Sequence, residues 1–190
     1  MKRHLTLQAR LKLPMARRCI TMVSNHHATL PLLDKSLRYF ILTSTPHGKQ
    51  IAIAMTLRGY EHAISPPRYQ LENLDIMSII DTCDVFVLET TTLVLSTLEH
   101  GCRSTVNYEQ ACQQDADISF LWYAASQAKT CILLSTGVVT AWVKDCEIVD
   151  AALAVHPPAK DEGDSSKGHM ITAIVDVLTG EYGTRLAQLR

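Results

Sequence analysis

The run DVFVLE, residues 84–89, is the clearest strand in the 190-residue chain, and what surrounds it decides the fold. Three more short apolar runs resemble it: YFILT at 39–43, TCILLS at 130–135 and AALAV at 151–155. A continuous apolar run of this length is the pattern of a strand covered on both faces. Between the runs the period becomes that of a helix. Residues 49–60 carry Ile51, Met55 and Leu57 as apolar positions, with Gly59 near the end. Residues 71–82 do the same with Leu74, Met77 and Ile80, and residues 117–128 read as a further helix.

Working outward, His62–Ser65 reads as a brief strand, closed by Pro66 and Pro67. Residues 7–24 read as helix after Pro14, ending near Asn25. At the other end, Met170, Ile171, Ile174, Val177 and Leu178 recur at helical spacing. Gly168 precedes that helix, and Gly180 suits the position just past its last turn, where a left-handed backbone is cheap only without a side chain. Residues 90–116 become a polar loop, TAWVKDC at 140–146 is a short helical turn, and HPPAKDEGDSSKG at 156–168 is a surface loop. Strands of four to six apolar residues separated by helices are βα units, whose crossover connections make a parallel sheet. Right-handed crossovers place helices on both of its faces. The expected fold is α/β, a three-layer αβα sandwich with a mostly parallel sheet.

Composition agrees with one soluble domain. The chain is 47% hydrophobic and 19% charged, which separates it from disordered sequences. A net charge of −1 leaves no electrostatic footprint for nucleic acid. The basic start, MKRHLTLQARLKLPMARR, lacks the apolar core and cleavage site of a secretory signal and reads as a solvated helix face, with an amphipathic, Arg-rich transit sequence as the alternative. No apolar run reaches the ~20 residues that cross a bilayer. These readings point to a cytoplasmic protein without a membrane or nucleic-acid partner. Six cysteines, at 19, 83, 102, 112, 131 and 146, show neither C-x-x-C nor zinc-ligand spacing. Cys83 and Cys131 stand beside or inside strand runs, where a thiol behaves as a small hydrophobe. Free thiols in a reducing compartment are the preferred reading; Cys102 and Cys112 would pair only under oxidising conditions.

Four segments, taken in order, carry a family resemblance. ARRCITMVSNHHATLPL at 16–32 is similar to a linker motif in which a helix ending ARxSITLLKN is followed by LPL. CILLSTGVVTAWVKDCEIVDAALAV at 131–155 is similar to VVLxxGxPxxxxWxxxVxAxLxAW, with Trp142 near the family tryptophan. PPAKDEG at 157–163 and GHMITAIVDVLTG at 168–180 resemble PGxExGxAIADVLFG, and GTRL at 183–186 looks like a shortened SGRLP. Together they resemble the C-terminal αβα-sandwich domain of glycoside hydrolase family 3, of the β-N-acetylglucosaminidase or β-glucosidase type. The compact spacing between LPL and DVFVLE resembles the acetylglucosaminidase branch more. The resemblance implies a linker helix region at 1–24 and the αβα domain at 25–190. It also implies a (β/α)8 barrel domain or partner chain, a carbohydrate ligand and no cofactor or metal.

Glycoside hydrolysis takes a carboxylate nucleophile or base and an acid ~5–9 Å away. In the family the nucleophile lies on the barrel, and eight βα units need ~200 residues that this sequence spends on the sandwich. Neither the Gly-Glu-Gly context of the glucosidase acid nor the barrel's KHFPGHG-like signature is found. Glu89, Glu99 and Glu109 remain as candidates for a displaced acid. Glu89 is the best placed, at a strand end where α/β sheets present ligand-facing residues, though a polar residue simply terminating a strand fits as well. His47, in STPHGK after the first strand, sits where a ligand loop would, or is an ordinary turn residue. Glu99 with His100, Glu109, the pair His26–His27 and the acidic loop 161–164 read as solvated surface. Two functions follow. One is the C-terminal domain of a family 3 glycosidase, non-catalytic by itself, with His47 and Glu89 near the sugar. The other is a stand-alone sugar-binding or protein-interaction module.

Overall fold

The computed structural model describes residues 20–43, 45–91, 116–136, 148–156 and 164–180. In chain order the elements are β1 (Ile20–Asn25), β2 (Tyr39–Leu42), α1 (His47–Thr56), β3 (Ala63–Ile64), α2 (Asn73–Thr82), β4 (Val85–Thr91), α3 (Ala116–Ser126), β5 (Thr130–Thr136), β6 (Ala151–Val155) and α4 (Asp164–Thr179). The strands form one sheet in the order β1-β6-β5-β4-β2-β3. All neighbours run parallel except β1, which pairs antiparallel with β6.

The apolar runs are buried on both sides because alternate residues enter two separate cores. Tyr39, Ile41, Val85, Val87, Ile132 and Leu134 face one core, which α1 and α4 close with Ile51, Met55, Ile171 and Leu178. Phe40, Leu42, Phe86, Leu88, Cys131 and Leu133 face the other, closed by α2 and α3 through Ile76, Ile80, Phe120 and Leu121. The distribution of helices follows from the path of the chain. It steps from β2 outward to β3, then returns past β2 to β4. Reversing direction while keeping one crossover hand puts α1 on one face and α2 on the other. The expected three-layer αβα sandwich is what forms.

Two expectations are corrected. Residues 20–24, read as the end of a helix, form the edge strand β1, with Ile20 opposite Val155 and Asn25 opposite Ala151. Ile20, Thr21 and Val23 are β-branched and suit a pleated surface more than a helix. Residues 7–19 lie outside the described residues. Helix α4 starts at Asp164, so Gly168 is inside it and residues 164–168 are not loop. Asp164, Ser165 and Ser166 are residue types that favour helix starts, a stronger signal than the glycine. The end of that helix is as read. Gly180 has φ +71°, and a Cβ there would lie 2.7 Å from Pro31 Cβ. Leu32 donates its N–H to the Leu178 carbonyl at 2.7 Å. The LPL segment, with Leu30 and Leu32 buried, is thus tied to the last turn of α4. Asn25 holds the same segment, accepting the Leu30 N–H at 2.8 Å and donating to its carbonyl at 2.9 Å.

Ion pairs fasten two other junctions. Arg58, just past α1, bonds Asp176 on α4, both largely buried. At the start of the strands Arg38 donates its backbone N–H and its guanidinium to Asp84. Those hydrogen bonds hold the Asp84 carboxyl below its ordinary range.

Cys83 and Cys131 are buried free thiols, and burial pushes them up to about 11 and about 12. The unfolded chain ionises each near 9.0. Between those values unfolding releases protons that the folded chain retains. The stability they contribute is complete below pH 9 and is lost as pH rises toward the folded values, by up to about 1.4 kcal/mol per pH unit per thiol. Urea midpoints should therefore fall from pH 9 to 11, with a shallower slope in Cys131→Ala. Equal slopes in the two proteins would contradict the assignment.

Candidate functional site

The sheet reverses its winding between β2 and β4, since β3 lies on one side of β2 and β4 on the other. Open α/β sheets place ligands at the carboxyl ends of the strands where the winding reverses. Glu89 belongs to β4 at this end. Opposite it, the sequence Thr43-Ser44-Thr45-Pro46-His47-Gly48 turns from β2 into α1.

Thr43, Thr45 and His47 form a knot around the carboxylate. Thr43 Oγ1 donates to Glu89 Oε2, and Thr45 Oγ1 donates to the same oxygen at 2.6 Å. His47 Nδ1 lies 3.0 Å from Oε1. A carboxylate accepts only, so this contact assigns a ring hydrogen to Nδ1. The turn is held locally as well. Thr43 Oγ1 accepts the Thr45 N–H at 3.0 Å, and Thr45 Oγ1 accepts the His47 N–H at 3.3 Å. Threonine hydroxyls bonding to the backbone two residues on are what shape such turns. Glu89 is 8% exposed and His47 is half-buried.

The structure thus brings the two site candidates of the sequence, His47 and Glu89, into direct contact. It adds Thr43 and Thr45, which the sequence alone did not single out; hydroxyls two residues apart directly after a strand were the available signal. Both oxygens of Glu89 are engaged by protein donors. That arrangement orients His47 and fixes the loop, and it uses three of the carboxylate's roughly four acceptor positions. His26 and His27 are not part of the site. They occupy a 3-10 turn after β1, where His26 donates its N–H to the Asp150 carbonyl, at the opposite end of the sheet. Glu99, His100, Glu109 and residues 161–163 lie outside the described residues, as do Gly137, Trp142 and Arg185.

Beside the knot is a cleft of about 580 Å³ between the β2–α1 loop and the loop after β3. Its lining includes buried Thr43, half-buried Thr45, Ser65 and Arg68, and exposed Lys49 and Tyr69. Pro46, Pro66 and Pro67 stiffen it. Gly48 makes the close packing here feasible, because a Cβ at this position would overlap Thr43 Cγ2 and Ser65 Oγ. Among the described residues no three His, Cys, Asp or Glu side chains converge to hold a metal ion. None of their helices is long and apolar enough to cross a membrane.

No family sequence model and no curated protein sequence matches the chain. Solved structures do. A fungal multi-domain GH3 beta-N-acetylglucosaminidase matches with a TM-score of 0.59 at 15% identity, over 92% of this chain and 18% of that one. The beta-glucosidase from Listeria innocua, in complex with glucose, matches with a TM-score of 0.56 at 14% identity, over 94% and 26%. The Beta-D-glucoside glucohydrolase from Trichoderma reesei gives 0.55 at 10% identity, over 93% and 29%. The chain therefore spans less than a third of each of these three enzymes. Its fold is that of one domain of glycoside hydrolase family 3 enzymes, the αβα sandwich that the sequence motifs point to.

Proposed function

We propose that this chain serves as the C-terminal αβα domain of a family 3 glycoside hydrolase and does not cleave glycosides by itself. The observation that carries the reading is the likeness to these glycosidases over nearly the whole chain but a small share of theirs. The motifs at 16–32, 131–155 and 168–186 support it independently, since they follow the family's own order. The chemistry of the site agrees. Glycosidic cleavage takes two suitably spaced groups, one of them an acid open to the leaving oxygen. The knot offers one carboxylate, buried and already bonded through both oxygens. The remaining chemistry belongs to a (β/α)8 barrel, on the same chain or a partner, against which this domain packs. His47 and Glu89 then shape the rim facing the sugar and do not act on the bond.

The test is hydrolysis of aryl N-acetylglucosaminide and aryl glucoside by the purified 190-residue chain. The expected result is no release of the aryl group above the buffer rate. Turnover that Glu89→Gln abolishes would overturn the proposal, because the knot would then be an active site in its own right.

A further inference from the structure

The cleft beside the knot has a charge and shape of its own. Its charged lining residues, among those described, are both cations, Lys49 and Arg68. Arg68 is fixed in place: it donates to the Leu71 carbonyl at 3.2 Å and lies 5.6 Å over the Phe120 ring. It contributes positive field, whereas Lys49 is exposed, on a long flexible stem that can reach a ligand. Tyr69 is 86% exposed on the rim, although a tyrosine presents a large apolar face. Rigid prolines pre-form the space, so little ordering is needed when a ligand enters. Thr45 is already committed to Glu89, which leaves Ser65 as a hydroxyl partner for polar groups on a ligand.

We propose that this cleft binds an anionic saccharide, a sugar ring carrying a phosphate or a carboxylate. The anion pairs with Lys49 in the field of Arg68, and the ring lies on Tyr69. The saccharide half rests on the glycosidase-domain reading, while the anionic half stands on the cleft alone.

Calorimetric titration of the full chain with glucose 6-phosphate, glucuronate, glucose and inorganic phosphate tests it. Glucose 6-phosphate, glucuronate or both should bind at least about tenfold more tightly than glucose, the size of one charge-assisted hydrogen bond. Lys49→Gln should remove that advantage, and added salt should weaken it, because the rim is exposed. Tyr69→Ala should weaken the anionic sugar about fivefold and leave inorganic phosphate unchanged. Which of the two sugars binds separates phosphate from carboxylate recognition. The proposal is overturned if neither binds, if glucose binds equally well, or if Lys49→Gln has no effect. It is equally overturned if inorganic phosphate matches glucose 6-phosphate and Tyr69→Ala changes nothing. Hydrolysis by the isolated chain is read in a separate assay, so the two proposals fail independently.

Discussion

Gly48→Ala should destabilise the domain by about 2–4 kcal/mol, against the usual direction for a glycine in a helix. Alanine is worth about 1 kcal/mol over glycine in a helix interior, and less than that in a first turn, where Gly48 sits. The new methyl, however, would overlap Thr43 Cγ2 and Ser65 Oγ. Threonine is stiff about its first side-chain torsion, so Thr43 yields by rotating to another rotamer. That rotation takes its hydroxyl away from Glu89. Overpacking at about 1–3 kcal/mol adds to a lost hydrogen bond to a carboxylate, and together they exceed the helix gain. Urea denaturation followed by circular dichroism measures the difference. A variant as stable as the parent or more so would mean that the turn after β2 is looser than the contacts imply.

The second large effect belongs to Glu89. Glu89→Ala strands two hydroxyls and a ring N–H at a site closed to most solvent, and should cost about 3 kcal/mol. Glu89→Gln should cost about 1 kcal/mol, because the amide can satisfy the same partners. Its oxygen accepts from Thr43 and Thr45, and its N–H donates to His47 Nδ1, provided the ring hydrogen moves to Nε2. The glutamine variant thus predicts a tautomer change, visible in the imidazole nitrogen chemical shifts of His47. Parent protein should show hydrogen on Nδ1 and the variant hydrogen on Nε2. If alanine and glutamine cost the same, or the His47 shifts do not move, the carboxylate does not organise this loop.

The layered fold was legible because the strand runs are apolar on both faces, which is what a strand covered from two sides requires. Tyr39–Leu42 and Ala151–Val155 needed no knowledge of their partners. Strand β1 was not legible, since its six residues follow a stretch rich in helix formers and only its pairing with β6 decides its state. Gly180 was readable from its place after the last helical turn, but the reason no other residue fits, Pro31 nearly 150 positions away, is a tertiary fact. The site divides in the same way. Glu89 and His47 stood out as polar residues at ends of elements. The hydroxyls that bind the carboxylate, and the glycine that lets them approach it, take their meaning from the distance between two loops.

The two-residue strand β3 has an effect on how copies of this domain meet. It is the outermost strand on the side away from β1, and Pro66 and Pro67 follow it almost at once. A neighbouring molecule seeking to extend the sheet would find two residues of ladder and then two backbones without an N–H to offer. Sheet extension through that border is limited to this two-residue ladder, so contacts made there by a second copy rely mainly on side chains.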